Sequence, residues 1–417
     1  MTLYHDVPRS KGVENAIKRA KQMTEARYTP LRILPINVKL FEPDGTGRFD
    51  ASMCTAGFPI KGIVYSSTRR VEKYVGYNIS LETFYSAMAN PNSVVYNRLI
   101  DSPGQNVHCQ YGIVCSCFVS YVLNFPYRTP CIRIPKIDGV EKLSITKPEE
   151  LQLLDIVLDI KRHVGVITDI ERDAEGRVQF ITVSESVLPY CRATRFTPEG
   201  FKAYWLDDPT HEYELYRYAK LDDIPYTPSP FSPMEDEPQD AAVINRTLMT
   251  DFGNKANYTL GQDPVELSVF DAAFDTVAVT DPDGKTQTYP VKDGMVVVHP
   301  EKPGFYTACC VRGEEKSDQV EWCVTDLTFT TDKASYRVGE PVHIRFRNSA
   351  GDKLAAFQFN RRETDRGMEG GYFTDLGSEG EITVKAPASA GAAELYLIAG
   401  NAYGFYSSVR VPIEVTE

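Results

Sequence analysis

Residues 111–123 read YGIVCSCFVSYVL and predict a short apolar helix that begins near Cys115. Because helical neighbours recur every three to four positions, Cys115 shares one face with Phe118 and Val122, whereas Cys117 points elsewhere. A thiol at a helix N-terminus lies near the positive end of the helix dipole and unpaired backbone N–H groups, which favour the thiolate. The stretch therefore indicates a nucleophilic Cys115, and a buried structural cysteine on a core helix is the competing interpretation.

The composition is that of an ordinary globular chain. The 417 residues are 42% hydrophobic and 24% charged, which allows about two or three domains with real cores. The net charge of −12 argues against nucleic acid or an anionic membrane as the main partner. No apolar run reaches transmembrane length, and residues 1–12 lack the apolar centre of a signal peptide. We therefore expect either a protein that stays inside the cell or one whose export signal is missing from this sequence.

The nine cysteines are scattered along the chain and do not form a disulfide framework. A zinc site built from His108, Cys109, Cys115, Cys117 and Cys131 is conceivable, but the paired spacing of common structural zinc sites is absent. We predict no metal and no other cofactor.

A hairpin is predicted downstream of the apolar helix. Residues 163–170, HVGVITDI, and 177–184, RVQFITVS, alternate in hydrophobicity on either side of a turn at 173–176. The remaining elements predicted before residue 224 are helices over 10–26 and 80–88 and strands over 150–160 and 212–218. Helices followed by an antiparallel sheet are typical of the α+β class.

The second half of the chain has the pattern of all-β domains. Residues 225–240 are rich in proline and acidic side chains, which suits an extended linker. Beyond the linker, short strand-like runs alternate with turn signals over residues 241–325 and again over 326–417. Each half has about the length of an immunoglobulin-like sandwich, and neither carries a recognisable catalytic constellation.

A cysteine nucleophile needs a base, and the base needs a group that orients it. His163 opens the first strand of the predicted hairpin, and Glu185 follows its partner strand. The beginning of one hairpin strand lies beside the end of the other, so these two side chains should be neighbours within register error. Either residue alone would be an ordinary strand-end group, but together with Cys115 they predict a Cys-His-Glu triad.

Several motifs between residues 62 and 190 resemble those of the NlpC-type cysteine peptidases, papain-like bacterial cell-wall endopeptidases that are related to the CHAP amidases. The segment VCSCFV at 114–119 resembles the nucleophile motif D-C-S-G-F-V of that family, with Val114 in place of Asp and Cys117 in place of Gly. The other matching segments are GIVY at 62–65, LDIV at 154–157, HVGV at 163–166 and TVSE at 182–185.

The resemblance implies an α+β fold, in which a papain-like, helix-plus-antiparallel-sheet catalytic domain precedes the two immunoglobulin-like sandwiches. That domain would span residues 1–224 and carry an insert over residues 69–110. Cys115 would be the nucleophile, His163 the general base and Glu185 the orienting group.

The resemblance also implies secondary roles for several neighbours of the triad. Ser184 or Ser186 would replace Glu185 if the strand register slips. Tyr65, Ser116 and Tyr111 would contribute to the oxyanion or substrate-binding site.

The implied function is cleavage of a peptidoglycan stem peptide at a γ-D-glutamyl–diamino acid bond, in the bacterial cell envelope or outside the cell. The β-sandwiches would then bind a carbohydrate or protein ligand. Two alternatives stay open: a papain-like amidase or acyltransferase with a non-wall substrate, and a catalytically inactive binding or adhesion module.

Overall fold

The computed structural model describes most of the chain. The described residues are 2–32, 34, 56–66, 75, 81–97, 112–125, 129–187, 190–221, 247–251, 255–261, 264–348, 354–362, 367–372, 377–401, 404–407 and 410–417. The predicted linker, 225–240, lies outside them, as does most of the predicted insert, 69–110.

The fold class expected from the sequence is wrong. The described residues are 45% strand and 18% helix, and their strands form several sheets, which favours an all-β fold over a papain-like helix-plus-sheet domain. The predicted class was based mainly on the apolar helix near Cys115 and on the motifs around it. Alternating strand patterns occupy far more of the chain, and burial of their apolar faces dominates the packing.

The N-terminal sheet is antiparallel, with strand order β4-β9-β5-β6-β7-β8, and β1 pairs with β6. A separate two-stranded sheet pairs β2 with β3. The strands are β1 (Tyr4–His5), β2 (Arg27–Tyr28), β3 (Ile60–Lys61), β4 (Val140–Lys142), β5 (Ile156–Asp159), β6 (His163–Arg172), β7 (Val178–Ser186), β8 (Cys191–Phe196) and β9 (Glu214–Tyr218).

Five α-helices accompany this sheet in the described part of the chain: α1 (Lys11–Glu25), α2 (Leu81–Ala89), α3 (Val94–Asn97), α4 (Cys115–Val122) and α5 (Pro198–Phe201). Short 3₁₀ turns cover Cys131–Lys136 and Pro148–Glu150, and a π-helical turn covers Lys202–Leu206. The helix predicted over 10–26 is confirmed as α1, where the Ser10 side chain accepts a hydrogen bond from the Val13 N–H. The helix predicted near 115 is confirmed as α4, which packs on β6, β7 and α1.

The hairpin of β6 and β7 is confirmed, and its register lies within the error that the prediction allowed. Glu185 lies opposite Gly165, not opposite His163. Side chains alternate between the faces of a strand, so a shift of two residues leaves His163 and Glu185 on the same face. The ladder also shifts register between Ile167 and Asp169, an irregularity of the β-bulge kind.

The strands after residue 247 form two units, each with two sheets. The first β unit has a three-stranded sheet, β10-β12-β15, and a five-stranded sheet, β11-β17-β16-β13-β14. Its strands are β10 (Leu248–Thr250), β11 (Lys255–Thr259), β12 (Val265–Val269), β13 (Thr276–Thr280), β14 (Thr286–Pro290), β15 (Met295–Val298), β16 (Gly304–Arg312) and β17 (Glu315–Thr325).

The second β unit has a three-stranded sheet, β18-β20-β23, and a larger sheet, β19-β26-β24-β21-β22, in which β25 pairs with β24. Its strands are β18 (Thr328–Thr331), β19 (Ser335–Arg337), β20 (Pro341–Arg347), β21 (Leu354–Arg361), β22 (Gly367–Tyr372), β23 (Glu379–Lys385), β24 (Gly391–Asn401), β25 (Gly404–Ser407) and β26 (Val411–Thr416).

The described residues contain two apolar cores of unequal size. Buried residues of the N-terminal sheet, its helices and the first β unit form one continuous cluster, whereas the second β unit has its own. The Asn90 amide, just after α2, donates to the Thr250 carbonyl of β10 and joins the first two regions. The Arg133 side chain donates to the Gly370 carbonyl of β22 and joins the N-terminal region to the second β unit. Among the described residues, no helix combines the length and apolar character needed to cross a membrane.

Candidate active site

Cys115 is the first residue of α4, and its side chain is buried. The preceding residue, Val114, has an extended backbone and a side chain that cannot accept a capping hydrogen bond. The backbone N–H groups of the first helical turn therefore have no side-chain cap from that position, and they surround the sulfur with partial positive charge. This location favours a thiolate and provides donors for a developing oxyanion.

His163 begins β6 and binds the carboxylate predicted to orient it. Its Nε2 lies 2.6 Å from Oε2 of Glu185. The Glu185 side chain is 1% exposed and that of His163 is 16% exposed, so the pair is shielded while the ring keeps some access to solvent. Because Nε2 is engaged by the carboxylate, Nδ1 is the nitrogen left to face the Cys115 thiol.

Arg192 holds the other oxygen of the same carboxylate. Its Nε donates to Oε1 of Glu185 over 2.8 Å, and its Nη2 donates to the Tyr204 hydroxyl over 3.3 Å. Burial on its own would raise the pKa of Glu185, but hydrogen bonds and positive charge from His163 and Arg192 outweigh burial and lower that pKa. Glu185 is therefore a carboxylate at neutral pH, although it is almost completely buried.

The imidazole is also fixed by aromatic packing. The indole of Trp205, on the π-helical turn, stacks on the ring of His163 with centroids 5.9 Å apart and planes 11° from parallel. Tyr204 and Tyr213 pack edge-on against the same indole, at centroid distances of 5.4 and 4.9 Å. These contacts restrict rotation of the base, because a turned ring would leave both the indole and the carboxylate.

The thiol of Cys115 contacts two titratable neighbours, Cys131 and His163. The hydrogen bond from the Cys131 thiol is the largest cause that lowers the pKa of Cys115. The hydrogen bond and charge of His163 and the Val164 backbone N–H add to it, against the opposing effect of burial. For His163, burial opposes the charged form most strongly, but contacts with Cys115 and Glu185 together raise its pKa to about 10. The site therefore favours a thiolate–imidazolium pair at neutral pH.

Cys131 also belongs to this site. The sequence analysis considered this residue only as a candidate ligand of a zinc site. It begins the 3₁₀ turn Cys131–Lys136. The preceding loop is fastened to α4, because the Thr129 N–H donates to Oγ of Ser120 over 2.9 Å. Its hydrogen bond to Cys115 and its burial raise the pKa of Cys131, so it is the protonated partner of the pair of thiols.

The serines held as alternatives to Glu185 are engaged elsewhere. Ser184 Oγ lies 2.8 Å from Oγ1 of Thr168, and Ser186 Oγ donates to the Ile113 carbonyl over 2.6 Å. Glu185 is the member of this trio that contacts His163.

The residues expected to bind substrate are only partly brought to the site. Tyr65 is linked to Ile113 by a parallel bridge, which places its backbone beside the strand-like entry into α4. Ser116 is buried in α4, and its carbonyl accepts a hydrogen bond from Ser120. Tyr111, and the zinc candidates His108 and Cys109, lie outside the described residues.

Within the part of the chain that is described, one group of side chains has the mutual spacing of a metal site, and it includes neither Cys115 nor Cys131. His5, Asp169 and Glu171 place one ligating atom each within 4.8 Å of one another. Glu171 is paired with Arg195 through two hydrogen bonds, of 2.6 and 2.9 Å, which already satisfy both carboxylate oxygens.

Comparison with known proteins adds no family assignment. No protein-family model matches this chain. A search of curated proteins finds no match either.

Proposed function

We propose that this protein is a cysteine hydrolase that cleaves an amide bond, with Cys115 as nucleophile, His163 as general acid and base, and Glu185 as orienting group. One observation carries the proposal: the His163 imidazole contacts the thiol at the start of α4 and the buried carboxylate of β7. A base that contacts both the nucleophile and an orienting group is the minimum that thiol-dependent acyl transfer requires.

The first half of the reaction forms a thioester. The Cys115 thiolate attacks the amide carbonyl carbon, and the oxyanion forms near the N–H groups at the beginning of α4. The His163 imidazolium then donates its proton to the nitrogen of the leaving amine, and the C–N bond breaks.

The second half releases the acid. The neutral imidazole of His163 takes a proton from water, whose oxygen attacks the thioester carbonyl, and the sulfur leaves as thiolate. Glu185 stays ionised throughout and stabilises the imidazolium, because its own proton affinity is lowered by Arg192 and His163.

We propose a peptidoglycan stem peptide as substrate, cut at a γ-D-glutamyl–diamino acid bond. This part of the proposal is supported by the sequence motifs around Cys115, His163 and Glu185, which resemble those of NlpC-type wall peptidases. A chain with a net charge of −12 gains little attraction from anionic wall polymers, so recognition has to come from specific contacts around the thiol or from the two β units.

The test compares two substitutions in α4. Purified peptidoglycan is incubated with wild-type protein, Cys115→Ala and Cys117→Ala, and released fragments are identified by mass spectrometry. Cys115→Ala is expected to abolish release, whereas Cys117→Ala, which removes a buried thiol from another side of the same helix, should retain it. Equal loss in both variants, or activity that survives in Cys115→Ala, would contradict the assignment of the nucleophile.

A catalytically inactive module gives a different result in the same experiment. Wild-type protein would then bind peptidoglycan without releasing fragments, and iodoacetamide would alkylate Cys115 no faster than an ordinary buried thiol. Release of fragments cut at another bond would retain the hydrolase and replace the substrate.

A further inference from the structure

A second thiol contacts the proposed nucleophile. Cys131 lies close enough to Cys115 to lower the pKa of its thiol, and it belongs to a separate segment of the chain, sixteen positions later in the sequence (131 − 115). Both cysteines are free in this structure, so no disulfide already occupies either sulfur. Hydrolysis as described above makes no use of a thiol at this position.

The fold keeps the two segments together. Oγ of Ser120, one turn further along α4, accepts from the Thr129 N–H and itself donates to the Ser116 carbonyl over 2.7 Å. This clamp fixes the loop two residues before Cys131 against the helix that begins with Cys115. A disulfide, with about 2.05 Å between the sulfurs, would join two segments that the fold already holds together.

We propose that Cys115 and Cys131 form a reversible disulfide when a peroxide oxidises the nucleophile, so that the site is protected and switched off under oxidising conditions. The inference rests on the proposed function only in taking Cys115 as a reactive thiolate. It adds a role for Cys131 as the resolving thiol, which the hydrolytic reaction does not need.

The chemistry balances with one equivalent of peroxide. The Cys115 thiolate attacks a peroxide oxygen, the O–O bond breaks and hydroxide leaves to be protonated to water, which converts Cys115 into a sulfenic acid. The Cys131 sulfur then attacks the Cys115 sulfur and the S–O bond breaks. The departing hydroxide takes the Cys131 proton and leaves as a second water. Two electrons have passed from the two thiols to the peroxide, and a dithiol reductant reverses the product by exchange.

Cys131 is better placed for this role than Cys117. Residues two apart on a helix point to different sides, so the side chains of Cys115 and Cys117 leave α4 in different directions, and Cys117 is completely buried. Without a resolving thiol beside it, a sulfenic acid continues to the sulfinic state, which dithiols do not reduce.

The experiment maps the oxidised cysteines directly and does not depend on catalysis. Full-length protein is treated with hydrogen peroxide, blocked with iodoacetamide and digested without reductant, and the peptides are identified by mass spectrometry. A peptide carrying Cys115 joined to one carrying Cys131 is expected, and dithiothreitol should separate the two. Cys131→Ser is expected to accumulate sulfinic acid at Cys115 instead, whereas Cys117→Ser should still form the bond.

Several outcomes would overturn the inference. They are a Cys115 that reaches the sulfinic state in wild type without a bonded intermediate, a Cys115 joined to Cys117, and a Cys115 left unmodified by peroxide. The wild-type peptide map decides between these even if Cys131→Ser does not fold. Failure to cleave peptidoglycan leaves the map unaffected, so the two proposals fail separately.

Discussion

At the scale of single residues, Glu185 is an acid whose charge is fixed by its neighbours. One oxygen binds the imidazole of His163 and the other binds the guanidinium of Arg192. This carboxylate lies between two cationic groups. Removing its charge should therefore weaken the stabilisation of the His163 imidazolium more than it lowers the stability of the fold.

Glu185→Gln tests this directly. The amide has the same shape but cannot stabilise an imidazolium, so we expect kcat to fall by roughly a hundredfold or more with a smaller change in KM. Ser184→Ala is the matched control, because Ser184 lies next in β7 and bonds to Thr168 instead of His163. Steady-state kinetics that show equal losses in the two variants would remove Glu185 from the orienting role.

The residues that could be predicted from sequence are those whose chemistry and local pattern coincide. Cys115 was recognisable from its helix-start context, and His163 and Glu185 from a hairpin. Arg192 was missed, although cross-strand pairing signals it: it lies directly opposite Glu185 in the β7–β8 ladder. Trp205 could not be found in this way, because a π-helical turn that brings an indole onto the imidazole has no sequence pattern.

At the scale of secondary-structure elements, the sheet is fastened by a buried ion pair between the loop before β5 and strand β9. Asp155, whose side chain is fully buried, accepts from Nε and Nη2 of Arg217 over 2.7 and 2.8 Å, and from the Gln152 N–H over 2.9 Å. Burial raises the pKa of Asp155 more than Arg217 lowers it, so this carboxylate depends on its partner.

Arg217→Met should therefore destabilise the fold by roughly 3 kcal/mol, because it leaves a buried carboxylate without its cation. A carboxyl whose pKa is raised by folding is stabilising when protonated, so the loss should grow as the pH rises above the acid range. Urea denaturation at several pH values measures both effects.

Lys161→Ala is the control for that measurement. Lys161, in the turn between β5 and β6, forms an exposed pair with Glu212 over 2.9 Å, and its removal should leave the unfolding midpoint close to that of wild type. If Arg217→Met behaves like Lys161→Ala, the buried carboxylate of Asp155 does not depend on its cation.

The elements themselves were predictable where periodicity was strong, as in α1, α4 and the β6–β7 hairpin. The class was not, since it depends on the total number of strands and on how their faces pack. The exact pairing register of β6 and β7 could not be predicted from the sequence either, because a shift of two residues keeps the same side chains on the same face.

At the scale of the whole molecule, the separate cores predict separate unfolding. The N-terminal region and the first β unit share one apolar cluster, whereas the second β unit encloses its own. Cooperative units follow shared cores, so the second β unit should unfold as a unit distinct from the rest.

Val342→Asp places a charge in the core of the second β unit, since Val342 of β20 is completely buried. Calorimetry should show a much lower melting temperature for the transition of the second β unit and an unchanged melting temperature for the other transition. Alkylation of Cys115 should stay at the wild-type rate. Arg347→Asp puts the same side chain on the exposed face of the same strand and should move neither transition. A single transition that shifts as a whole would contradict the division.

The central claim is that Cys115 is an activated thiolate made so by His163 and Cys131, and the pH dependence of its alkylation tests this most directly. Iodoacetamide labelling of Cys115, followed peptide by peptide with mass spectrometry, should report a pKa well below the ordinary thiol value of 9.0. His163→Ala and Cys131→Ala should each raise that pKa, because each removes a contact that stabilises the negative sulfur. A Cys115 that titrates as an ordinary thiol in the wild type, and does so unchanged in both variants, would contradict the account.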